Sequence, residues 1–511
     1  MVERPPFSLF DRTILFSAHT AFTSGLRYIA RFLFIVVVGK FLPAKEFGQY
    51  SVIVTTVGLL SYFLQGESHL YYIFRIPGKS ARQQMFLYKS IVFGKMTLVA
   101  LVFGLFCLLP GAREHFSAWF NIPLTGRLFF LLILLVFAEI MILDLQRFLS
   151  ATQNIVRCNT VLLCQHAFWV FLLIIWRFCS STELTKVSLL AFWLLGDSLG
   201  IVIGWRAISL VRFFKSAWRC SVFKKAYIYG VAAFVSGIAS FCIDFFDRYY
   251  LSFLRKFQAL GVYAFQYNLV LTIHAAVGPL FVNAVLPMLI QAYNHNQIPR
   301  AQKYFQYIIK FTLMTLLPVC VLYFLCHRDL LRIVAKPDYF PERTLVLLLI
   351  CVPFFSFLNG LLSHMTLFLE RGWSLVVVNI CAAVVNIGLN FIFIPRWGAS
   401  GAAATTLVAM AVHSLGLHLI LKGWPFRVMW ARVVSAPAVL VAIGTIIVGR
   451  FGVEHFLPEN AFLRILIFGV WVGVIFGIFY SLGPVFDVEE KRLIRRLLEK
   501  IHLTKTVGVN P

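Results

Sequence analysis

At 511 residues, 60% apolar and only 13% charged, with a mean hydropathy of +0.85, the chain lies far from soluble proteins, which are roughly 45–50% apolar and about 25% charged. Its formal charge of +25, from 46 Lys and Arg against 21 Asp and Glu, therefore reads as cytoplasmic loop anchoring and contact with anionic lipid, not as a nucleic-acid footprint. One crossing takes about 20 residues, so about fourteen crossings use over half of the chain, and no nucleotide-binding domain, glycosyltransferase domain or large catalytic loop fits in the remainder.

Apolar windows place spans at 13–38, 47–70, 86–110, 128–146, 158–178, 186–205, 226–253, 259–290, 304–326, 342–368, 374–394, 399–421, 431–449 and 461–483. The expectation is an all-α polytopic membrane protein of about fourteen helices. No small-residue cleavage site follows the first apolar stretch, which reads as a retained span. The ten cysteines contain no Cys-x-x-Cys pair and mostly fall inside apolar runs, where they read as small buried hydrophobes.

An even number of spans puts both termini on one side. With cytoplasmic termini, the cytoplasmic segments carry 25 Lys and Arg against 15 in the opposite loops, which favours that orientation. The largest contributions come from the loop with Arg206, Arg212, Lys215, Arg219, Lys224 and Lys225, and from the tail with Lys491, Arg492, Arg495, Arg496, Lys500 and Lys505. In that tail Leu493, Ile494, Leu497, Leu498 and Ile501 share one helical face, the pattern of an amphipathic helix lying on the membrane.

Six basic residues are left at membrane depth: Arg27, Arg31, Lys89, Lys95, Arg248 and Lys310. A cation near the bilayer centre costs at least a few kcal/mol if it faces lipid, so each must face protein, water or a ligand. Lys89 and Lys310 sit near the cytoplasmic ends of their spans and can snorkel. Arg27 and Arg31 belong to a polar stripe, Thr13, Ser17, Thr20, Ser24, Arg27 and Arg31, spaced by threes and fours along one helical face.

That stripe has a counterpart. Phe47-Gly48-Gln49-Tyr50-Ser51 recurs 213 residues on as Leu260-Gly261-Val262-Tyr263-Ala264, and the helix before the second copy carries Ser236, Ser240, Asp244 and Asp247, followed by Arg248. The offset takes Arg27 to Ser240 and Arg31 to Asp244. Six spans lie between the copies, so an axis along the membrane normal relates them. The two polar faces are expected to line a charged substrate route; the structural alternative is an internal Arg31–Asp244 pair tying the halves together.

Asn159, and Asn379, Asn386 and Asn390 at i, i+7 and i+11, read first as interhelical glue. Glu67, Glu139, Asp144, Asp197, His166, His274 and Asn359 are further polar groups within spans, and the carboxylates and histidines among them are candidates for ion coupling. Enzymatic chemistry finds no foothold. Pro77-Gly78-Lys79-Ser80 ends like a phosphate loop, but Ile73 stands where the first glycine belongs, and the segment reads as a turn. No zinc spacing and no Gly-x-Ser-x-Gly occurs, and His364 and Glu370 are too isolated to act as an acid–base pair. Neither a metal nor an enzymatic role is expected.

Gly39-Lys40-Phe41-Leu42-Pro43 before Phe47-Gly48-Gln49-Tyr50 resembles the opening of Wzx-type polysaccharide transporters, the O-antigen and exopolysaccharide flippases of the multidrug/oligosaccharidyl-lipid/polysaccharide (MOP) exporter superfamily. Asp247-Arg248, Leu260-Gly261-Val262-Tyr263 and Val285-Leu286-Pro287 resemble the start of that family's second half. Asn386-x-x-Leu389-Asn390 with Ile394-Pro395-x-x-Gly398-Ala399-x-Gly401-Ala402-Ala403 resembles its eleventh and twelfth helices and is the most specific part. The similarity covers about residues 10 to 425; the two spans beyond are not part of the usual pattern.

The resemblance implies two six-helix lobes, at 1–212 and 213–425, around a cavity that opens alternately to either side. Two added helices at 426–484 and a basic tail at 485–511 complete the expected domains. It implies a cargo of undecaprenyl-pyrophosphate-linked oligosaccharide, a lipopolysaccharide O-antigen or exopolysaccharide unit, moved to the periplasmic leaflet of the bacterial inner membrane. Guanidinium groups bind phosphate oxygens in bidentate fashion, so Arg27 and Arg31 are the first candidates for the pyrophosphate, with Lys95 and Arg248 secondary. Glu67, Asp144, Asp244, Asp247, His274, Asn386 and Asn390 are the candidates for ion coupling or cavity lining. No cofactor is expected beyond H+ or Na+ coupling; the expected partners are the lipid-linked glycan, anionic lipids and the glycan polymerase with its chain-length machinery. The alternatives are a peptidoglycan-precursor flippase, a multidrug cation exporter, which two arginines in the first helix argue against, and a membrane-embedded glycan polymerase or acyltransferase, for which the 327–341 loop is too small.

Overall fold

In hydrocarbon every backbone N–H and C=O must find its partner within the protein, so long apolar runs fold as helices. The computed structural model describes residues 9–482 apart from 123, 181, 207, 209, 424, 425, 427, 430–435 and 452–458. The tail expected to form an amphipathic helix lies outside the described residues, as do the side chains of Thr13 and Ser17. In chain order the helices are α1 (Leu9–Phe41), α2 (Ala44–Gln65), α3 (Leu70–Arg75), α4 (Ala81–Leu108), α5 (Ala112–Phe120), α6 (Gly126–Ala151), α7 (Ile155–Leu163), α8 (Trp169–Cys179), α9 (Lys186–Arg206), α10 (Leu210–Lys215), α11 (Cys220–Phe253), α12 (Phe257–Asn294), α13 (Ile298–Val334), α14 (Arg343–Leu349), α15 (Val352–Phe368), α16 (Gly372–Leu421), α17 (Ala436–Phe451) and α18 (Ala461–Leu482).

Twelve stretches among the described residues are long and apolar enough to cross a membrane, and Pro437–Gly449 adds a shorter apolar helix. The segment Gly372–Leu421 is two helices meeting at Gly398, whose φ of 54° and ψ of −125° interrupt the helix three residues after Pro395. The fold is therefore the expected all-α polytopic one, with about 12–14 spans. The Pro77–Ser80 stretch is a turn: Gly78 takes a φ of +77°, and Ser80 caps α4 by accepting the Gln83 amide at 3.4 Å while the Gln83 side chain accepts the Ser80 amide at 3.3 Å.

Two compact units are distinguishable, Met1–Ala276 with Val334–Leu421, and Val277–Ile333 with Lys422–Pro511. In the first unit the sequence repeat has a physical counterpart. Helices α2 and α12 begin 213 residues apart, at Ala44 and Phe257, and their repeat glycines pack together. A methyl group on Gly48 would lie 2.2 Å from the Phe257 carbonyl oxygen and 3.1 Å from the Gly261 nitrogen; one on Gly261 would lie 1.8 Å from the Ala44 carbonyl oxygen. Only glycine permits that approach. The segment after α13 fastens both helix starts: Asp338 Oδ2 accepts the Ala44 amide at 2.8 Å, and the Asp338 carbonyl accepts Gln258 Nε2 at 3.1 Å.

In the second unit the added helices pack on α13. Val321, Leu325 and Cys326 form a buried cluster with Ala442 of α17 and Phe468, Val472 and Phe476 of α18. Tyr480 Oη donates to the Met314 carbonyl at 2.6 Å, and Arg464 pairs with Asp329 at 3.4 Å. One expectation is corrected here. All ten cysteines are free, but Cys107, Cys179, Cys220 and Cys381 are exposed; only Cys164, Cys320 and Cys326 are buried. A residue facing lipid satisfies the same hydropathy as one packed inside, so an apolar run does not separate the two.

Candidate functional site

The polar stripe of α1 carries two guanidinium groups one turn apart. Arg27 Nη2 donates to Ser24 Oγ at 2.8 Å, while its Nε is buried with no partner among the described residues. Arg31 is half-buried, and the groups acting on it electrostatically are Tyr28, Arg248 and Tyr267. His166 lies in the field of both arginines, and His274 in that of Arg31. Arg248 of α11 is 6% exposed; its Nη1 donates to Ser51 Oγ at 3.2 Å and Thr55 Oγ1 at 3.5 Å on α2, and its guanidinium lies 4.7 Å from the Phe245 ring centroid. Arg31 thus lies in the field of Arg248, and among the described residues no carboxylate pairs with Arg27 or Arg31. Arg248 has Asp244 and Asp247 beside it on its own helix, so the two cations of α1 are the ones without a carboxylate among the described residues.

The proposed Arg31–Asp244 pair does not form among the described residues. Asp244 instead has Asp247 and Arg248 as its charged neighbours, and Arg248 stands one helical turn away on the same helix, where an i, i+4 partner needs no second element. Lys95 and Asp144 also change roles. Expected separately as a phosphate ligand and an ion-coupling group, they are each other's partners: Lys95 Nζ donates to Asp144 Oδ1 at 2.6 Å, with both side chains wholly buried between α4 and α6. Tyr72, Tyr88, Ile142, Leu145 and Phe148 belong to the buried cluster of these helices. A lysine so enclosed is not available to a head group in this conformation.

Asp247 accepts hydrogen bonds from Tyr263 Oη and, at 3.2 Å, from Thr406 Oγ1, leaving Oδ1 without a partner among the described residues. Asn390 Nδ2 donates to Asn386 Oδ1 at 2.8 Å, and Thr405 Oγ1 donates to Asn390 Oδ1. Asn379 is interhelical glue, donating to Ser236 Oγ at 2.6 Å. Asn159 donates to Thr20 Oγ1 at 2.9 Å and so joins α7 to α1. Glu67 lies in the turn after α2, 3.3 Å from His69 Nδ1, and in the field of Arg147 and Lys95. No group of three or more His, Cys, Asp or Glu able to hold a metal ion occurs among the described residues.

Two features escape a reading of the sequence. Arg147, counted as a loop charge, is exposed on α6, and it and Arg27 both lie in the field of Cys158, so it extends the cationic cluster. Glu139 and Asp197, two acids among several in the sequence, act on each other across α6 and α9. The glycines Gly196, Gly200 and Gly204 are the sequence signal that announces it, since a glycine every fourth residue marks a helix face in close contact.

The sequence profile described as "Polysaccharide biosynthesis protein" matches residues 18–293, and the MatE profile matches residues 232–392. No curated protein matches the sequence. Among solved structures, the lipid II flippase MurJ in an inward closed conformation is 15% identical, with 91% of this chain and 98% of MurJ covered at a TM-score of 0.66. A MOP superfamily transporter from Pyrococcus furiosus is 13% identical, with 79% of this chain and 93% of the other covered at a TM-score of 0.47. The eukaryotic MATE transporter AtDTX14 is 15% identical, with 80% and 94% covered at 0.48. The MurJ likeness establishes a multi-pass membrane fold of the MOP type. With more than half of its residues matched by the first profile, the chain belongs to the polysaccharide biosynthesis protein family.

Proposed function

We propose that this transporter is a flippase that moves an undecaprenyl-pyrophosphate-linked oligosaccharide, an O-antigen or exopolysaccharide repeat unit, from the cytoplasmic to the periplasmic leaflet of the bacterial inner membrane. The observation that carries the reading is the cluster of Arg27, Arg31 and Arg248 at membrane depth, with no carboxylate on Arg27 or Arg31 among the described residues. A pyrophosphate diester supplies the missing negative charge, and each guanidinium meets it through paired, charge-assisted hydrogen bonds. The same cluster repels a cationic drug. The sequence family and the fold shared with a lipid II flippase support a lipid-linked cargo. Alternating access between lobes at 1–212 and 213–425 follows from the repeat, and both termini are cytoplasmic in this reading. Asp244, Asp247, His274, Asn386 and Asn390 remain the candidates in the second lobe for coupling to H+ or Na+.

Replacing both arginines, Arg27→Ala with Arg31→Ala, removes two charge-assisted contacts of about 1.5–3 kcal/mol each, so affinity for the lipid pyrophosphate falls at least about a hundredfold. At wild-type expression the double variant should lose surface glycan and accumulate lipid-linked units on the cytoplasmic leaflet. Full glycan display by that variant would sink the head-group assignment.

A further inference from the structure

Helix α9 presents Gly196, Gly200 and Gly204 along one face. A methyl group on Gly196 would lie 2.8 Å from the Cys164 carbonyl oxygen, one on Gly200 2.7 Å from Ile142 Cδ1, and one on Gly204 2.1 Å from Leu145 Cδ2. Packing this close leaves no room for water, and Asp197, next to Gly196, is wholly buried with neither carboxyl oxygen holding a hydrogen bond among the described residues. Facing it at hydrogen-bonding range is the carboxyl group of Glu139 on α6. Between α7 and α8 the chain makes a π-helical turn, Cys164–Phe168, a widening that recurs at functional sites. Its Gln165 donates through Nε2 to Glu139 Oε2 at 3.1 Å, accepts from Gln146 Nε2 at its own side-chain oxygen, and has its carbonyl held by Trp169 Nε1 at 2.8 Å. Among the described residues no hydrogen bond runs from Gln165 to Asp197.

Two facing carboxylates are acceptors only, so their contact is satisfied only with a proton between them, and in a dry interface two adjacent carboxyl groups do not both ionise. Among the described residues no cation acts on the pair. On α6 and α4, Asp144 and Lys95 neutralise each other. His166 of the π-turn lies in the field of Arg27 and Arg31 of α1. Cys164 packs on Gly200. On α2, Gln49 accepts from Lys186 of α9, and on α8 Arg177 lies over the Phe41 ring at 4.3 Å.

We infer that Glu139 and Asp197 form a proton-binding site, holding one exchangeable proton between their carboxyl groups at neutral pH. The pair makes the α6–α9 contact two-state: closed while the proton is present, and driven apart by like charge when it leaves. Its part in a transport cycle rests on the flippase reading; the binding of the proton does not.

The full-length protein in lipid nanodiscs, probed by infrared difference spectroscopy between H2O and D2O at pH 7, tests the site directly. A protonated-carboxyl C=O band that shifts in D2O should be present and should lose a component in Asp197→Asn and in Glu139→Gln, but not in the exposed control Glu370→Gln. Either amide supplies an N–H donor in place of the shared proton, so both variants should keep the wild-type helix content. If one does not fold, the other still reads the band. A band unchanged by both substitutions overturns the site, as does thermal stability of the wild type that responds to Na+ in place of protons, which would mean a metal cation. Because no cargo is involved, a band unchanged by both substitutions leaves the flippase reading standing, and glycan export without Arg27 and Arg31 leaves the proton site standing.

Discussion

Single residues at membrane depth are sorted by whether a partner reaches them. Lys95 has Asp144 at 2.6 Å, both fully buried, whereas Arg27 keeps a buried Nε without a partner among the described residues. Removing one member of a buried pair leaves an uncompensated charge, at a cost of about 3–5 kcal/mol. Lys95→Met or Asp144→Leu alone should therefore lower thermal stability in detergent markedly, and the double substitution should recover most of the loss. Losses that simply add would show that the pair does not couple. Arg248 illustrates the intermediate case, fixed by Ser51 and Thr55 and stacked on Phe245, and so a cation held in place for a ligand or for the α2–α11 contact.

Helices in this fold meet through glycine. The repeat-related starts of α2 and α12 touch at Gly48 and Gly261, where an added methyl group meets backbone at 2.2 and 1.8 Å. A backbone carbonyl cannot rotate out of the way as a side chain can. Gly48→Ala and Gly261→Ala should each cost about 1–3 kcal/mol or more by overpacking. Gly388→Ala, with nothing within 4 Å of the new methyl group, should instead gain up to about 1 kcal/mol from helix propensity. Folded yield and unfolding temperature of the three purified variants check the contrast, and equal behaviour would show that α2 and α12 do not pack so closely. The break at Gly398 has a different cause: it separates two spans where the 50-residue segment Gly372–Leu421 is far longer than a bilayer needs.

At the scale of the whole molecule the charge distribution sets orientation. The exposed cysteines provide a test without engineering, because Cys107 and Cys179 end their helices on the side proposed to be periplasmic and Cys220 opens α11 on the side proposed to be cytoplasmic. A membrane-impermeant maleimide applied to intact spheroplasts should label Cys107 and Cys179 and spare Cys220. The reverse pattern would invert the topology and, with it, the direction of transport. The added helices α17 and α18 close on α13 through Ala442, Phe468, Val472 and Phe476, so their role includes covering an apolar face of that helix.

What the sequence determined by itself follows from local physics. Hydropathy over about 20 residues fixes the spans, because hydrocarbon leaves the backbone no other solution. The Pro395–Gly398 break and the Ser80 cap rest on backbone chemistry within a few residues, and the 213-residue repeat rests on short motifs that recur in register. Partnership is different. Lys95 and Asp144 are 49 residues apart, Glu139 and Asp197 lie on separate helices, and Arg31 stands in the repulsive field of Arg248 without an ion pair to Asp244 among the described residues. Each of these depends on how helices rotate about their axes and how closely they approach, and the membrane, which rewards apolar surface equally on every face, leaves that rotation to tertiary packing.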